Sequence, residues 1–268
     1  MRLGILVHNE YLKTRRRTAF WVASLVFAGL LSLVFGSMVA QGMRDPKQAV
    51  VFPAAWGSIV GGPGVLAAFF SAIVLILLVS SEFTWRTSRQ NVIDGLSKEE
   101  FFGAKLLLIP GVGLFFFAVL LLLGGGIGVG GTLAKGALAG ASPFIRPEDL
   151  ALMGGAFLGL LGWASFAFFL GITIRSTGSA IGAFFLYFLV EQILGAFAGA
   201  LGPGVASAFR FAPNVVFKSL WEPVRYGVVP LKAGQSLGVA TQWYVAAGAA
   251  WVAVFLVASF VLYRRKDL

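Results

Sequence analysis

Glu82, Arg86, Arg89, Asp94, Lys98, Glu99, Glu100 and Lys105 place eight charges in the stretch SSEFTWRTSRQNVIDGLSKEEFFGAK (80–105), within a chain that is only 12% charged. Carboxylates, cations and the hydroxyls of Thr87 and Ser97 at this density suit the gripping of another surface more than bond-making. Glu191 is a second candidate, the one carboxylate deep inside an apolar run, LYFLVEQILGAF, with Gln192 beside it and Tyr187 one turn earlier. An ionised side chain there costs about 2.5–3.5 kcal/mol on insertion scales, so it must face protein or water. It suits contact with a cationic or polar substrate, a protonation site, or a buried hydrogen bond between helices. Other chemistries find few residues. Cysteine is absent and His8 is the lone histidine, which removes thiolate metal sites, disulfides and a cysteine nucleophile. No paired Asp, His cluster or Ser–His pair lies in the apolar runs, which disfavours an intramembrane enzyme. One glutamate is also a thin relay for a proton-driven carrier.

The elements that carry these residues follow from composition. Of 268 residues, 58% are hydrophobic and 26 are Phe, and mean hydropathy is +0.88. A soluble domain would be about 25% charged. The chain reads as an integral membrane protein with no room for a separate soluble domain. Six apolar runs, at 18–41, 61–81, 102–130, 150–174, 179–201 and 242–263, each suffice to cross about 30 Å of hydrocarbon as a helix. They lack the alternation of barrel strands, so the expected fold is an all-α membrane protein with six transmembrane helices. The first run exceeds a signal-peptide core and reads as a retained anchor. Before it, residues 1–17 mix apolar and polar positions and end on Arg15-Arg16-Arg17, which predicts an amphipathic helix in the cytoplasmic interface.

Charge sets the orientation. With the N-terminus inside, the inner segments carry 13 of the 21 Lys and Arg, in fewer residues than the outer ones. The positive-inside rule then puts both termini and the 82–101 segment in the cytoplasm. The net charge of +10 reads as topology and contact with anionic membrane lipids, with no nucleic-acid partner. Glycines recur at four-residue spacing in Gly155/Gly159, Gly178/Gly182 and Gly195/Gly199, which allows either close packing inside the bundle or a dimer face. The six glycines within 124–131 superficially look like a dinucleotide loop but follow no strand, and no GxxxxGK[ST] occurs, so no P-loop ATP site is expected here.

Within the opening stretch, 82–94 contains neither Pro nor Gly, Gly95 suits a helix stop, and Ser97-x-x-Glu100 spells a capping box. This predicts a stiff helix–stop–helix elbow with a charged side and an apolar side formed by Val92, Ile93 and Leu96. Two uses remain open, a solvated hairpin that fixes topology and an elbow that docks in a partner's groove. Topology needs basic residues only, whereas Asp94, Glu99, Glu100 and the apolar trio favour docking.

On these residues the chain resembles the permease subunits of ABC-2 type exporters. The matching positions are Glu82 at the end of the second run, Thr87 with Arg89 and nearby Arg86, Ser97-Lys98, and Lys105 opening the third. Phe52-Pro53…Trp56 and Arg15–Trp21 are also similar. The common Gly-Thr pair is replaced by Arg86-Thr87. The resemblance implies an ABC-2 (type V) exporter-like membrane domain of the cell (inner) membrane, working as a dimer with a second copy or a paralogue. A separate cytoplasmic ATPase subunit would bind ATP and Mg, this chain binding neither. Coupling would run through Glu82, Arg86, Thr87, Arg89, Asp94, Ser97, Lys98, Glu99 and Glu100. Glu10, Lys13 and Arg15 of the N-terminal helix would form a second contact, and Glu191, Gln192 and Tyr187 are the substrate-pathway candidates. In that family the region matching 202–241 dips back as a hairpin, a role 206–220 suits here; an aromatic belt without a gating role fits its five aromatic residues equally well. The alternative from another class is a membrane anchor or sensor that recruits a cytoplasmic protein through the same elbow.

Overall fold

The computed structural model describes residues 2–45, 50–84, 98–136, 143–232 and 236–265, and these form helices and connections without strands. Helix α1 (Arg2–Arg16) leads into α2 (Thr18–Arg44) through Arg17, whose extended backbone (φ −83°, ψ 117°) lets the two axes diverge. Helices α3 (Ala55–Gly61) and α4 (Gly64–Thr84) are separated at Gly62-Pro63, since Pro supplies no N–H and disfavours helical geometry in the residue before it. The same physics divides α5 (Lys98–Leu106) from α6 (Leu108–Ala134). Pro110 leaves the Leu106 carbonyl without its helical donor. Helix α7 (Pro147–Ile174) starts with Pro in its first position, and Asp149 accepts the Arg146 backbone N–H at 2.9 Å. It ends on Arg175 in the left-handed region (φ 58°). Helix α8 (Thr177–Ala198) follows, then short α9 (Pro203–Phe209) and α10 (Pro213–Ser219), a 3-10 turn at Pro223–Tyr226, and α11 (Thr241–Arg265).

Six helical stretches are long and apolar enough to cross a membrane, at Thr18–Arg44, Ala55–Glu82, Phe102–Ala134, Pro147–Ile174, Thr177–Ala198 and Thr241–Arg265. The molecule is thus an all-helical bundle of multi-pass membrane-protein type. Packing within it is uneven. The second and fourth stretches bury 61% and 67% of their most apolar residues, against 17–22% for the first, fifth and sixth. Helices α4 and α7 are therefore the central pair, and α2, α8 and α11 present leucine, valine and phenylalanine outward.

At one end, called here the termini end, the Phe102 and Tyr263 rings lie 5.6 Å apart and Lys105 meets Glu10. This gathers α1, the foot of α4, α5 and the end of α11. The opposite end, the loop end, is filled by two segments that fold back into the bundle on rows of glycine. On α6, a methyl added at Gly131, Gly128 or Gly124 would overlap the Val50 carbonyl, the Phe52 ring or the Ile59 side chain in turn. Gly124 lies about 10 residues inside α6, or about 15 Å along its axis. On α7, Gly155 faces Tyr226, Gly159 faces Trp221 and the Phe217 carbonyl, and Gly162 faces the Phe217 ring. Gly162 is about 15 residues inside α7, or about 22 Å, so the 203–226 segment descends well into the bundle. Of the three GxxxG pairs, Gly155/Gly159 thus serves packing within the chain. Gly195 abuts Phe209, and Gly178 and Gly182 have open space beside them.

Candidate functional site

The densest meeting of charged groups among the described residues lies at the termini end. Glu10, Lys13 and Arg17 recur three and four residues apart, so they project toward one side where α1 joins α2. That side rests against α4 and α5. Lys105 donates to Glu82 at 2.6 Å and also to Glu10. Lys13 stands 3.1 Å from Glu10 and 3.6 Å from Glu82, and the Arg17 guanidinium is 4.0 Å from Glu82. Arg17 also donates to the Leu77 and Leu78 carbonyls at 3.3 and 3.4 Å, and to the Ser81 hydroxyl. Glu82 and Lys105 are each 3% exposed and Glu10 is 8% exposed. Three cations and two carboxylates therefore tie the N-terminal helix to both stems of the 85–97 connection.

The electrostatics follow from this burial. Desolvation raises the Glu10 carboxyl, but Lys105 and Lys13 more than offset it and leave it below the usual carboxylate range. Burial likewise disfavours charge on Lys13, and Glu82 with Glu10 overcomes it, so the ammonium titrates above its ordinary value. Both groups are held charged by their neighbours. Complete replacement of a buried pair by apolar residues is often neutral, whereas removing one member strands a buried charge at about 3–5 kcal/mol. The cluster therefore fixes geometry more than it adds net stability.

The other sequence-predicted residues fall as follows. Arg86, Thr87, Arg89, Asp94 and Ser97 lie outside the described residues, with the elbow they would form. Lys98 begins α5. Glu99 is exposed, 3.8 Å from exposed Arg264, a pair of little energetic weight. Glu100 is half-buried. Of the three α1 residues expected to face a partner, Glu10 is turned inward, while Lys13 and Arg15 keep exposed surface. In the sequence Arg17 reads only as part of a basic run, Ser81 as the end of a span, and Lys105 as a motif position opening the third span, with no sign that the three share a cluster. The available signal was that a lysine inside an apolar helix needs a carboxylate partner.

Glu191 occupies a different setting near the loop end. It is 5% exposed and accepts the backbone N–H groups of Asn214 and Val215 at 3.2 and 3.1 Å. These are the unsatisfied donors at the start of α10, where Ala212 supplies no side-chain cap. Glu191 thus does from a neighbouring helix what a capping Ser or Asp would do locally, and its charge complements the helix dipole. Tyr187 interacts with it, whereas Gln192 points outward. The structure joins Glu191 to Tyr187 and to the folded-back segment, and leaves Gln192 apart.

A family model described as "Protein of unknown function (DUF2705)" matches residues 20–268. No curated protein matches the chain. The match spans nearly the whole chain, so the chain belongs to the DUF2705 family.

Proposed function

We propose that this DUF2705 member is the permease subunit of an ATP-driven exporter of the ABC-2 kind, working as a dimer and driven by separate cytoplasmic ATPase subunits. In this reading the termini end is cytoplasmic and the protein sits in the cell (inner) membrane. The observation that carries the reading is the bridge from Lys105 to Glu82 and Glu10. A lever moved by a soluble engine must be anchored at its base, or the displacement is absorbed locally. Here the feet of α4 and α5, which residues 85–97 connect, are clamped to each other and to α1. The clamp uses Glu82 and Lys105, two of the residues on which the exporter resemblance rests. A push on the elbow would reach the central helix α4 as a rigid-body movement, the kind of transition by which packed helices switch state. The folded-back segment between α8 and α11, supported by Glu191, stands at the far exit of such a pathway.

The test is co-expression with P-loop ATPases encoded beside the chain, followed by affinity purification in detergent. A stoichiometric ATPase should co-purify, and Arg89→Ala combined with Asp94→Ala should release it while the variant keeps its elution profile. Purification of a well-folded chain with no ATPase, or with a kinase or regulator instead, would overturn the exporter reading in favour of an anchor or sensor.

A further inference from the structure

The joint between α1 and α2 borders a cleft of about 370 Å³ whose other wall is α5 and α6. Its chemistry is graded. Phe20, Leu108, Val112 and Phe115 line the apolar part, and Tyr11 and Arg15 line the polar part. Trp21 stands at the border, its indole N–H donating to the Arg15 carbonyl at 2.7 Å. Tryptophan and tyrosine gather where a membrane helix leaves the hydrocarbon, because their rings are apolar and their polar groups need water or headgroups. Trp21 lies one turn into α2 and Tyr11 about two turns before its start, so the pair marks that level here. Glu10 also lines the cleft, but its charge is taken up by Lys105 and Lys13. Arg15, by contrast, is exposed and has no ion pair among the described residues. Adjacent Arg16 is likewise exposed and borders a second cleft on the other side of α2. Of the three successive arginines, only Arg17 is engaged by carbonyls and a hydroxyl among the described residues.

We propose that this cleft is a site for an anionic diacyl phospholipid. One acyl chain lies against Phe20, Val112 and Phe115, and the phosphate is held by Arg15. An apolar slot of this size, closed at its polar end by a guanidinium with no ion pair among the described residues, matches an amphiphile with a negative head. A neutral detergent or an apolar ligand would leave Arg15 unanswered. The basic end of α1 adds the long-range attraction that brings anionic lipid to such a surface. Bound there, the lipid would fill the gap between α1 and α6 beside the ion cluster and brace the N-terminal helix in place. This inference needs only the membrane-spanning bundle and is independent of the exporter reading.

The test uses the full chain, purified and stripped of lipid. It is then offered vesicles of phosphatidylglycerol or phosphatidylcholine, and retained lipid is counted by native mass spectrometry. The wild type should retain phosphatidylglycerol at least about tenfold over phosphatidylcholine. Arg15→Gln should bring the two within about twofold. Gly111 lines the cleft, and a Cβ added there meets nothing within 4 Å, so Gly111→Phe directs a ring into the slot and should abolish retention of both lipids. Equal retention of the two lipids by the wild type would overturn the proposal. So would undiminished phosphatidylglycerol retention in both variants, or loss in Gly111→Phe without a change in preference in Arg15→Gln. Thermal unfolding of each variant within a few degrees of wild type keeps the comparison one of binding.

Discussion

Removing the ammonium of Lys105 would take from Glu82 and Glu10 the cation that both of them contact. Lys105→Ala is therefore expected to cost about 3–5 kcal/mol, measured as loss of detergent-solubilised thermal stability. Glu82→Gln combined with Lys105→Met should recover part of that loss, and the double-mutant cycle should return a coupling of about 1–3 kcal/mol. The pH dependence has a defined sign. Glu10 titrates lower in the folded chain than in the unfolded one, so its contribution is complete above the unfolded value. It is lost as pH falls through the folded value. Lys13 is the mirror case, complete below its unfolded value and lost as pH rises through its raised folded value. Glu10→Gln should thus flatten the acid limb of the stability profile and leave the neutral plateau lower, and a set of melts between acidic and neutral pH checks it. At this scale the sequence was partly readable. Glu82 and Lys105 stand out as charges at the edges of apolar runs, but their meeting with Glu10 depends on the angle between α1 and α2 at Arg17, which no local pattern encodes.

Each folded-back segment depends on a helix stripped of side chains along one row. Gly162→Leu would drive a branched side chain into the Phe217 ring, with an expected cost of about 1–3 kcal/mol from overpacking. Gly182→Leu, with open space beside it, should cost less than about 0.5 kcal/mol, the range of surface substitutions. Thermal melts of the two variants make the comparison. Glu191→Ala should speed amide exchange at Asn214 and Val215, whose N–H groups it now accepts. Glu191→Gln, which keeps one acceptor oxygen, should have a smaller effect. Full transport with normal pH dependence in Glu191→Gln would confine this residue to that capping role. The six long helices were legible because runs of apolar residues need no knowledge of their neighbours. The path of 203–226 back along α7 is encoded in no local pattern, and neither is the helix at 55–61, since Trp56, Ile59 and Val60 read equally well as the approach to a span. What the glycine rows accommodate was also hidden. Spacing indicates that something approaches closely, and only the fold tells which segment it is.

For the molecule as a whole, the asymmetry of Lys and Arg predicts which end faces the cytoplasm, and the absence of cysteine makes the prediction simple to check. A single cysteine in place of Ser88 should react with a membrane-impermeant maleimide only after cells are opened. One in place of Ser236, exposed at the loop end, should react in intact cells. The reversed pattern would invert the topology and place the ion cluster outside. The central claim is mechanical, that residues 85–97 are gripped by a nucleotide-hydrolysing subunit and that the clamp at Glu10, Glu82 and Lys105 holds the two helices they connect. Its most direct measurement is in-cell cross-linking from a photoreactive amino acid in place of Arg89, with the adduct identified by mass spectrometry. The account predicts an adduct with a P-loop ATPase, absent when the probe replaces Gly182. An Arg89 probe that captures no protein, or captures one without an ATPase fold, would contradict it.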